Sequence, residues 1–201
     1  MLFTLPPWQY HRRTYLGRID RVDASAARWD EEGFLQCHLR YQEDPLPFYR
    51  TPDIHFGWLW GCENKAKTLA YYEYRLGQGI KKDTGIWFLL ASIVDHTGRT
   101  QAPHPVGEYA GMGTGILASH RNRGVGRAFL YTLMACHIWS PEQLGYSPGG
   151  LATAQSAHRQ HIREALANGC AVPPSVVADY PELVKQIGTH PIGSAAHSSC
   201  Y

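Results

Sequence analysis

The stretch Ile116-Leu117-Ala118-Ser119-His120-Arg121-Asn122-Arg123-Gly124-Val125-Gly126-Arg127-Ala128-Phe129-Leu130 decides how this chain is read. A short apolar run passes into a polar, basic turn that carries two glycines. An apolar helical pattern follows at once. That order predicts a strand at Ile116–Ser119, a loop, and a helix from Gly126. Glycine lets backbone N–H groups come close to a ligand. The start of a helix adds unpaired donors and the positive end of its dipole. Arg121, Arg123 and Arg127 add formal charge, so the stretch predicts an anion cradle.

Downstream, Phe129, Leu130, Leu133, Met134 and Ile138 repeat at three and four, and Ser140-Pro141 closes that helix. Tyr146 to Gly150 reads as a loop. Thr153 to Asn168 reads as a second helix, with Gly169 as its natural C-cap. Val172-Pro173-Pro174-Ser175 is a break, and Val176 to Ile187 is a short helix interrupted at Pro181. The tail 188–201 is poor in core residues and is expected to be disordered. No apolar strand pattern is found after Trp139.

Upstream, Ile86 to Val94 is the best core element, a continuous apolar run expected to be a buried strand. Leu35, Cys37, Leu39 and Tyr41 alternate with polar residues as a half-buried strand does. Ile54 to Trp60 reads as a strand, and Lys67 to Leu76 fits either a strand or a short helix. Residues 95–115 read as one long polar connection rich in Gly and Pro. Residues 1–17 read as an N-terminal arm whose cluster Tyr10-His11-Arg12-Arg13-Thr14-Tyr15 is solvated or meets nucleic acid. The expected organisation is an arm (1–17), an α/β domain (18–145), a helical appendage (146–187) and a tail (188–201).

The chain has 201 residues, 44% of them hydrophobic, which suffices for a real core. A net charge of +2 excludes a strong global field drawing the protein to nucleic acid, although local basic clusters remain effective. Five cysteines at wide spacing, with no C-x-x-C pair, read as free thiols in a reducing compartment. The longest apolar run falls far below the ~20 residues that span a bilayer. The expectation is a soluble, cytoplasmic protein with no membrane partner.

The turn itself has the form R-x-x-G-x-G, with Arg121, Gly124 and Gly126 at the fixed positions. It resembles the pyrophosphate loop, written [Q/R]-x-x-G-x-[G/A], of the GCN5-related N-acetyltransferases. The resemblance covers fifteen to twenty residues and implies an α+β fold, a mixed sheet with flanking helices. It implies acetyl-CoA as co-substrate, held by Arg121, Asn122, Arg123, Gly124, Val125, Gly126 and Arg127. The acceptor would be an amine on a nucleobase, a protein or a small molecule. Glu108 and His120 are then the candidate bases and Tyr146 the candidate acid toward the leaving thiolate. That family ordinarily continues with further strands, one of which carries a Y-x-x-x-G-F motif, and this sequence has none.

A second resemblance lies in the stretch Ser156 to Leu183, about twenty-five residues, against the pattern A-L-x-x-G-x-x-V-P-x-x-V-L-x-D-Y-P-x-L, with Val177 where the pattern has Leu. It is similar to a short module at the ends of bacteriophage and mobile-element proteins, many of which process DNA. Arg159 and Arg163, four apart, place a basic stripe beside it, and with Arg12 and Arg13 they are the candidate nucleic-acid contacts. The alternative function is thus a non-enzymatic phage accessory protein that binds nucleic acid or a host protein. Two other constellations are weaker. His158, His161 and Glu164 share helical spacing for a metal, although i,i+3 histidines on a polar helix face are more often simply exposed. Cys136 and Cys62 are candidate thiols, the first of them more consistent with core packing.

Overall fold

The computed structural model describes residues 3–23, 72–76, 91–95, 104–109, 114–135, 137, 139–143 and 145–187. The described residues hold four strands: β1 (Tyr72–Leu76), β2 (Ala91–Asp95), β3 (His104–Tyr109) and β4 (Thr114–Ile116). They pair antiparallel in the order β1-β2-β3-β4. Among the described residues five α-helices accompany them: α1 (Arg12–Leu16), α2 (Val125–Ala135), α3 (Pro148–Ala167), α4 (Pro174–Ala178) and α5 (Pro181–Ile187). The fold is α+β. The expected strands at Leu35–Tyr41 and Ile54–Trp60 lie outside the described residues, as do the start of the Ile86–Val94 run and the tail 188–201. Among the described residues no helix is long and apolar enough to cross a membrane.

The stretch 95–115, read as one polar connection, contains β3 and all of β4 but its last residue. Its glycines and Pro105 hid them. Pro105 cannot donate to a ladder, and the register with β2 shifts there, so that Ile93 faces Gly107 and Val94 faces Pro105. Val106 is the extra residue of this bulge. Its carbonyl accepts instead from Leu117 N at 2.8 Å, and its side chain is fully buried. Lys67 to Leu76, ambiguous by pattern, resolves as strand over Tyr72–Leu76.

The helices follow their caps. Ser147 Oγ accepts from Gly150 N at 3.1 Å with Pro148 at the first helical position, so α3 begins five residues before the expected Thr153. It ends at Gly169 (φ +73°), where Cys170 N donates to Ala165 O at 2.8 Å. Pro174 and Pro181 open α4 and α5 and do not interrupt them. Cys170 is disulfide-bonded, which corrects the free-thiol expectation at that position.

The segment read as a solvated arm is packed. Tyr15 is 1% exposed and Leu16 fully buried, in one apolar cluster with Val106, Phe129, Leu133, Trp139, Tyr146 and Ala157. Phe3 and Tyr10 stack around Tyr15, at 4.4 and 5.6 Å between ring centroids. A helix of five residues leaves its last carbonyls without helical partners. Here Trp139 Nε1 donates to Tyr15 O at 3.1 Å, while Tyr146 Oη and Glu142 N donate to Leu16 O at 2.6 and 3.0 Å. Asp179 accepts from Arg12 N at 2.7 Å at the other end of α1. Beyond Leu16 the chain runs beside residues 142–146, bridging Gly17 to Glu142 and Val22 to Tyr146. A smaller cluster of Ile162, Val176, Tyr180 and Leu183 joins α3 to α4 and α5.

That crossing is too close for side chains at two positions. A Cβ on Gly17 (φ +82°) would lie 2.4 Å from Glu142 O, and one on Gly145 (φ +118°) 2.6 Å from Arg21 O. At Gly169 a Cβ meets nothing within 4 Å. Gly169→Ala is therefore predicted to cost only the left-handed backbone, about 1–2 kcal/mol. Gly17→Ala and Gly145→Ala add a clash with a carbonyl and should cost clearly more. Urea unfolding of the three variants checks this; equal losses at all three would refute the close crossing.

Candidate anion-binding site

The strand of the opening stretch stops sooner than its apolar residues suggest. β4 ends at Ile116, and Ala118–His120 form a single 3-10 turn. Leu117 leaves the ladder by giving its N–H to Val106, and His120 N returns to Leu117 O at 2.8 Å. The four residues 121–124 then turn the chain into α2. Two of them are left-handed, Asn122 at φ +58° and Gly124 at φ +82°. Asn is among the few side chains that accept this conformation, and Gly accepts it without strain.

Gly124 and Gly126 have different reasons to be small. A Cβ at Gly126 would sit 3.5 Å from Ile116 Cγ1 and from Thr153 Cγ2, an ordinary contact. Alanine fits there. A Cβ at Gly124 would meet nothing within 4 Å, so its left-handed φ and the open space above the turn are what distinguish it. Ala128 N donates to Gly124 O at 3.0 Å and opens the helical ladder. The amides of Val125, Gly126 and Arg127 lie ahead of that bond, where a helix leaves donors for an anion.

The side chains of the turn are arranged unevenly. Arg121 Nε donates to Ile116 O at 2.8 Å, which folds its guanidinium back over the strand end. Arg123 reaches only 3.5 Å from Ser119 O. His120 is 7% exposed, its Nδ1 2.9 Å from Ser119 Oγ. Glu108 faces Gly115 of β4 and Ser92 of β2 in the ladder, one step toward Tyr109 and Thr114, whereas His120 lies four residues past the other end of β4, next to the turn. Tyr146 has a structural task instead. It is buried, its hydroxyl donates to Leu16 O, and burial pushes its ionisation far up.

Arg127 leaves the turn for a cavity of about 260 Å³ lined by Ser156, Arg159, Gln160 and Arg163 of α3 and by Glu182 and Leu183 of α5. One residue expected at the cofactor thus meets two expected at nucleic acid. The rest of the expected nucleic-acid set is engaged elsewhere. Arg12 lies over the Tyr180 ring at 5.5 Å, and Arg13 pairs with Asp20 at 3.2 Å. The ring of Tyr15 is buried, so it offers no face for base stacking.

His158 and His161 prove to lie on the buried face of α3, not on an exposed polar face. His158 is fully buried. Its Nε2–H donates to Pro7 O at 2.9 Å, which leaves Nδ1 to accept from the Tyr180 hydroxyl, also at 2.9 Å. His161 donates from Nε2 to Tyr131 O at 2.9 Å and stacks on the Tyr131 ring at 3.8 Å. The Tyr131 hydroxyl donates to Glu164, whose other oxygen accepts from Gln160 Nε2 at 2.8 Å. Each expected ligand therefore has its own partner, and among the described residues no group of three could hold a metal ion. The signal was present as the stripe Ala154, Ala157, His158, His161, Ile162, Ala165, spaced three and one, all of it buried. The expected thiols Cys136 and Cys62 lie outside the described residues.

Comparison with known families finds no match to this chain, and none is found among the curated proteins or the solved structures.

Burial pushes the pKa of both histidines down, each to about 4. The unfolded chain takes up these protons near pH 6.5 and the folded one near 4. Stability is then full above about pH 6.5 and is lost as the pH falls toward 4, by on the order of 3 kcal/mol for each ring. His161→Phe keeps the stack on Tyr131 and removes one titration. Urea unfolding between pH 7.5 and 4 should give it a shallower loss than the parent, and parallel curves would show that His161 titrates normally.

Proposed function

We propose that the turn at 121–124 and the first turn of α2 hold the phosphates of an acyl-coenzyme A, and that the protein is an acyl-CoA-dependent N-acyltransferase. The observation that carries this reading is the order of elements. An antiparallel meander ends at β4, a turn with two left-handed residues follows, and α2 starts with three amides ahead of its ladder. The room for alanine at Gly126 agrees with the [G/A] choice at the last position of the loop pattern. The mixed sheet of the acetyltransferases is the corresponding fold proposal, with acetyl-CoA as the acyl donor.

In this reading the acceptor amine attacks the thioester carbonyl carbon. The carbon–sulfur bond breaks, the ammonium proton passes to a base, and coenzyme A leaves as the thiol. Glu108 on β3 and His120 beside the turn are the two candidate bases. Tyr146 has the least support as the acid, because its hydroxyl already serves Leu16. The module within Ser156 to Leu183 supports a phage or mobile-element origin, which favours a nucleobase or protein amine as acceptor. An accessory protein that only binds nucleic acid or a host protein has less support, since Arg12, Arg13 and Arg159 each have a partner within the fold.

Calorimetric titration with acetyl-CoA is expected to show one binding event. Gly124→Asp puts a carboxylate above the turn and should weaken binding at least tenfold, about 1.4 kcal/mol. Gly126→Ala should bind as the parent does. No heat from the parent protein, or equal binding by Gly124→Asp, would overturn the reading.

A further inference from the structure

The cavity between α2, α3 and α5 is built from three arginines. Ser156, Arg159, Gln160 and Arg163 stand at i, i+3, i+4 and i+7 on α3 and form one stripe along its side. Arg127 comes from the first turn of α2, and Glu182 and Leu183 come from α5. Arg159 is bonded to Glu182 at 2.8 Å. Among the described residues neither Arg127 nor Arg163 has an acidic partner, so Glu182 balances only one of the three guanidiniums. The lining keeps two formal positive charges in excess. Three guanidiniums of one sign on one concavity, two of them exposed at its mouth, attract an anion to it.

The shape selects among anions. A nucleic-acid backbone offers separated single charges along a convex surface and is met by an open stripe. Here the guanidiniums line a concave space of about 260 Å³. That is room for a compact anion with an attached group, and guanidinium forks match phosphate oxygens in pairs. The Ser156 hydroxyl adds a neutral donor, and buried Leu183 adds an apolar wall. We propose that the cavity lined by Arg127, Arg159 and Arg163 binds the terminal phosphate or diphosphate of a small phosphorylated molecule. This site takes the Arg127 side chain from the first turn of α2 but none of residues 121–124, and it stands whether or not the turn holds an acyl-CoA.

Inorganic pyrophosphate is the probe, titrated calorimetrically near physiological salt. The pair Arg127→Gln and Arg163→Gln, combined in one protein, is expected to lose one pyrophosphate site that the parent has. Circular dichroism melting checks that this protein is folded; both side chains lie outside the buried clusters. In Gly124→Asp, where the turn is blocked, one site should persist and disappear on adding Arg163→Gln. Unchanged pyrophosphate binding in the double variant overturns the proposal. So does a complete loss of binding in a folded Gly124→Asp protein, which would assign all anion binding to the turn. A parent protein that retards an oligonucleotide through Arg159 and Arg163, yet binds no pyrophosphate, also overturns it in favour of a nucleic-acid face. Failure to bind acetyl-CoA with pyrophosphate binding intact in Gly124→Asp would remove the acyltransferase reading and leave this one standing.

Discussion

The carbonyl of Leu16 is the point on which the described structure depends. It ends a five-residue helix and accepts both the Tyr146 hydroxyl and the Glu142 amide, while the neighbouring carbonyl of Tyr15 accepts the Trp139 indole. Each donor comes from the short segment between α2 and α3. Buried carbonyls left without donors would cost on the order of 1–3 kcal/mol apiece. The N-terminal segment thereby fixes where α2 stops and α3 starts. Gly17 and Gly145 are the backbone consequence, since the two segments approach too closely for a Cβ at either.

From that clamp the placement of the turn and of the arginine-lined cavity follows. Val125, Phe129 and Leu133 of α2 and Ala154 and Ala157 of α3 belong to the cluster that encloses Tyr15 and Leu16. The small alanines let the two helices come together. Their contact carries the start of α2, and with it Arg127, toward the arginine stripe of α3. The same pairing puts His161 against the Tyr131 ring and His158 between Pro7 and Tyr180. Burying two imidazoles is favourable only while they are neutral, and desolvation keeps them so against the carbonyls of Pro7 and Tyr131, which by themselves favour the protonated rings.

The sequence made the second half of the described fold legible and much of the first half not. Apolar residues at helical spacing located α2, and Gly169 located the end of α3, because both are local signals. The start of α3 was misjudged because Gly149 and Gly150 weaken helix propensity, while the Ser147 cap and Pro148 outweigh them. β3 was hidden by Pro105 and Gly107, since a bulged strand is specified by its neighbours and not by alternation. The arm was misread for a related reason. In Tyr10 to Tyr15 the exposed His11, Arg13 and Thr14 are solvated as they look, and only long-range partners such as Asp179 and Trp139 show that Arg12 is engaged and Tyr15 is core. At the site, the glycine and arginine pattern of the turn was visible, whereas the convergence of Arg127 with Arg159 and Arg163 needs two helices placed side by side.

The central claim is that the amides at the start of α2 meet phosphate. Nitrogen-15 correlation spectra of the labelled protein, recorded during titration with acetyl-CoA, test it most directly. The account predicts that the largest shifts fall on the amides of Gly124, Val125, Gly126 and Arg127, with smaller changes at His120 and little change at Gly169. Shifts that leave these four amides unmoved, while others in the protein move, would contradict it.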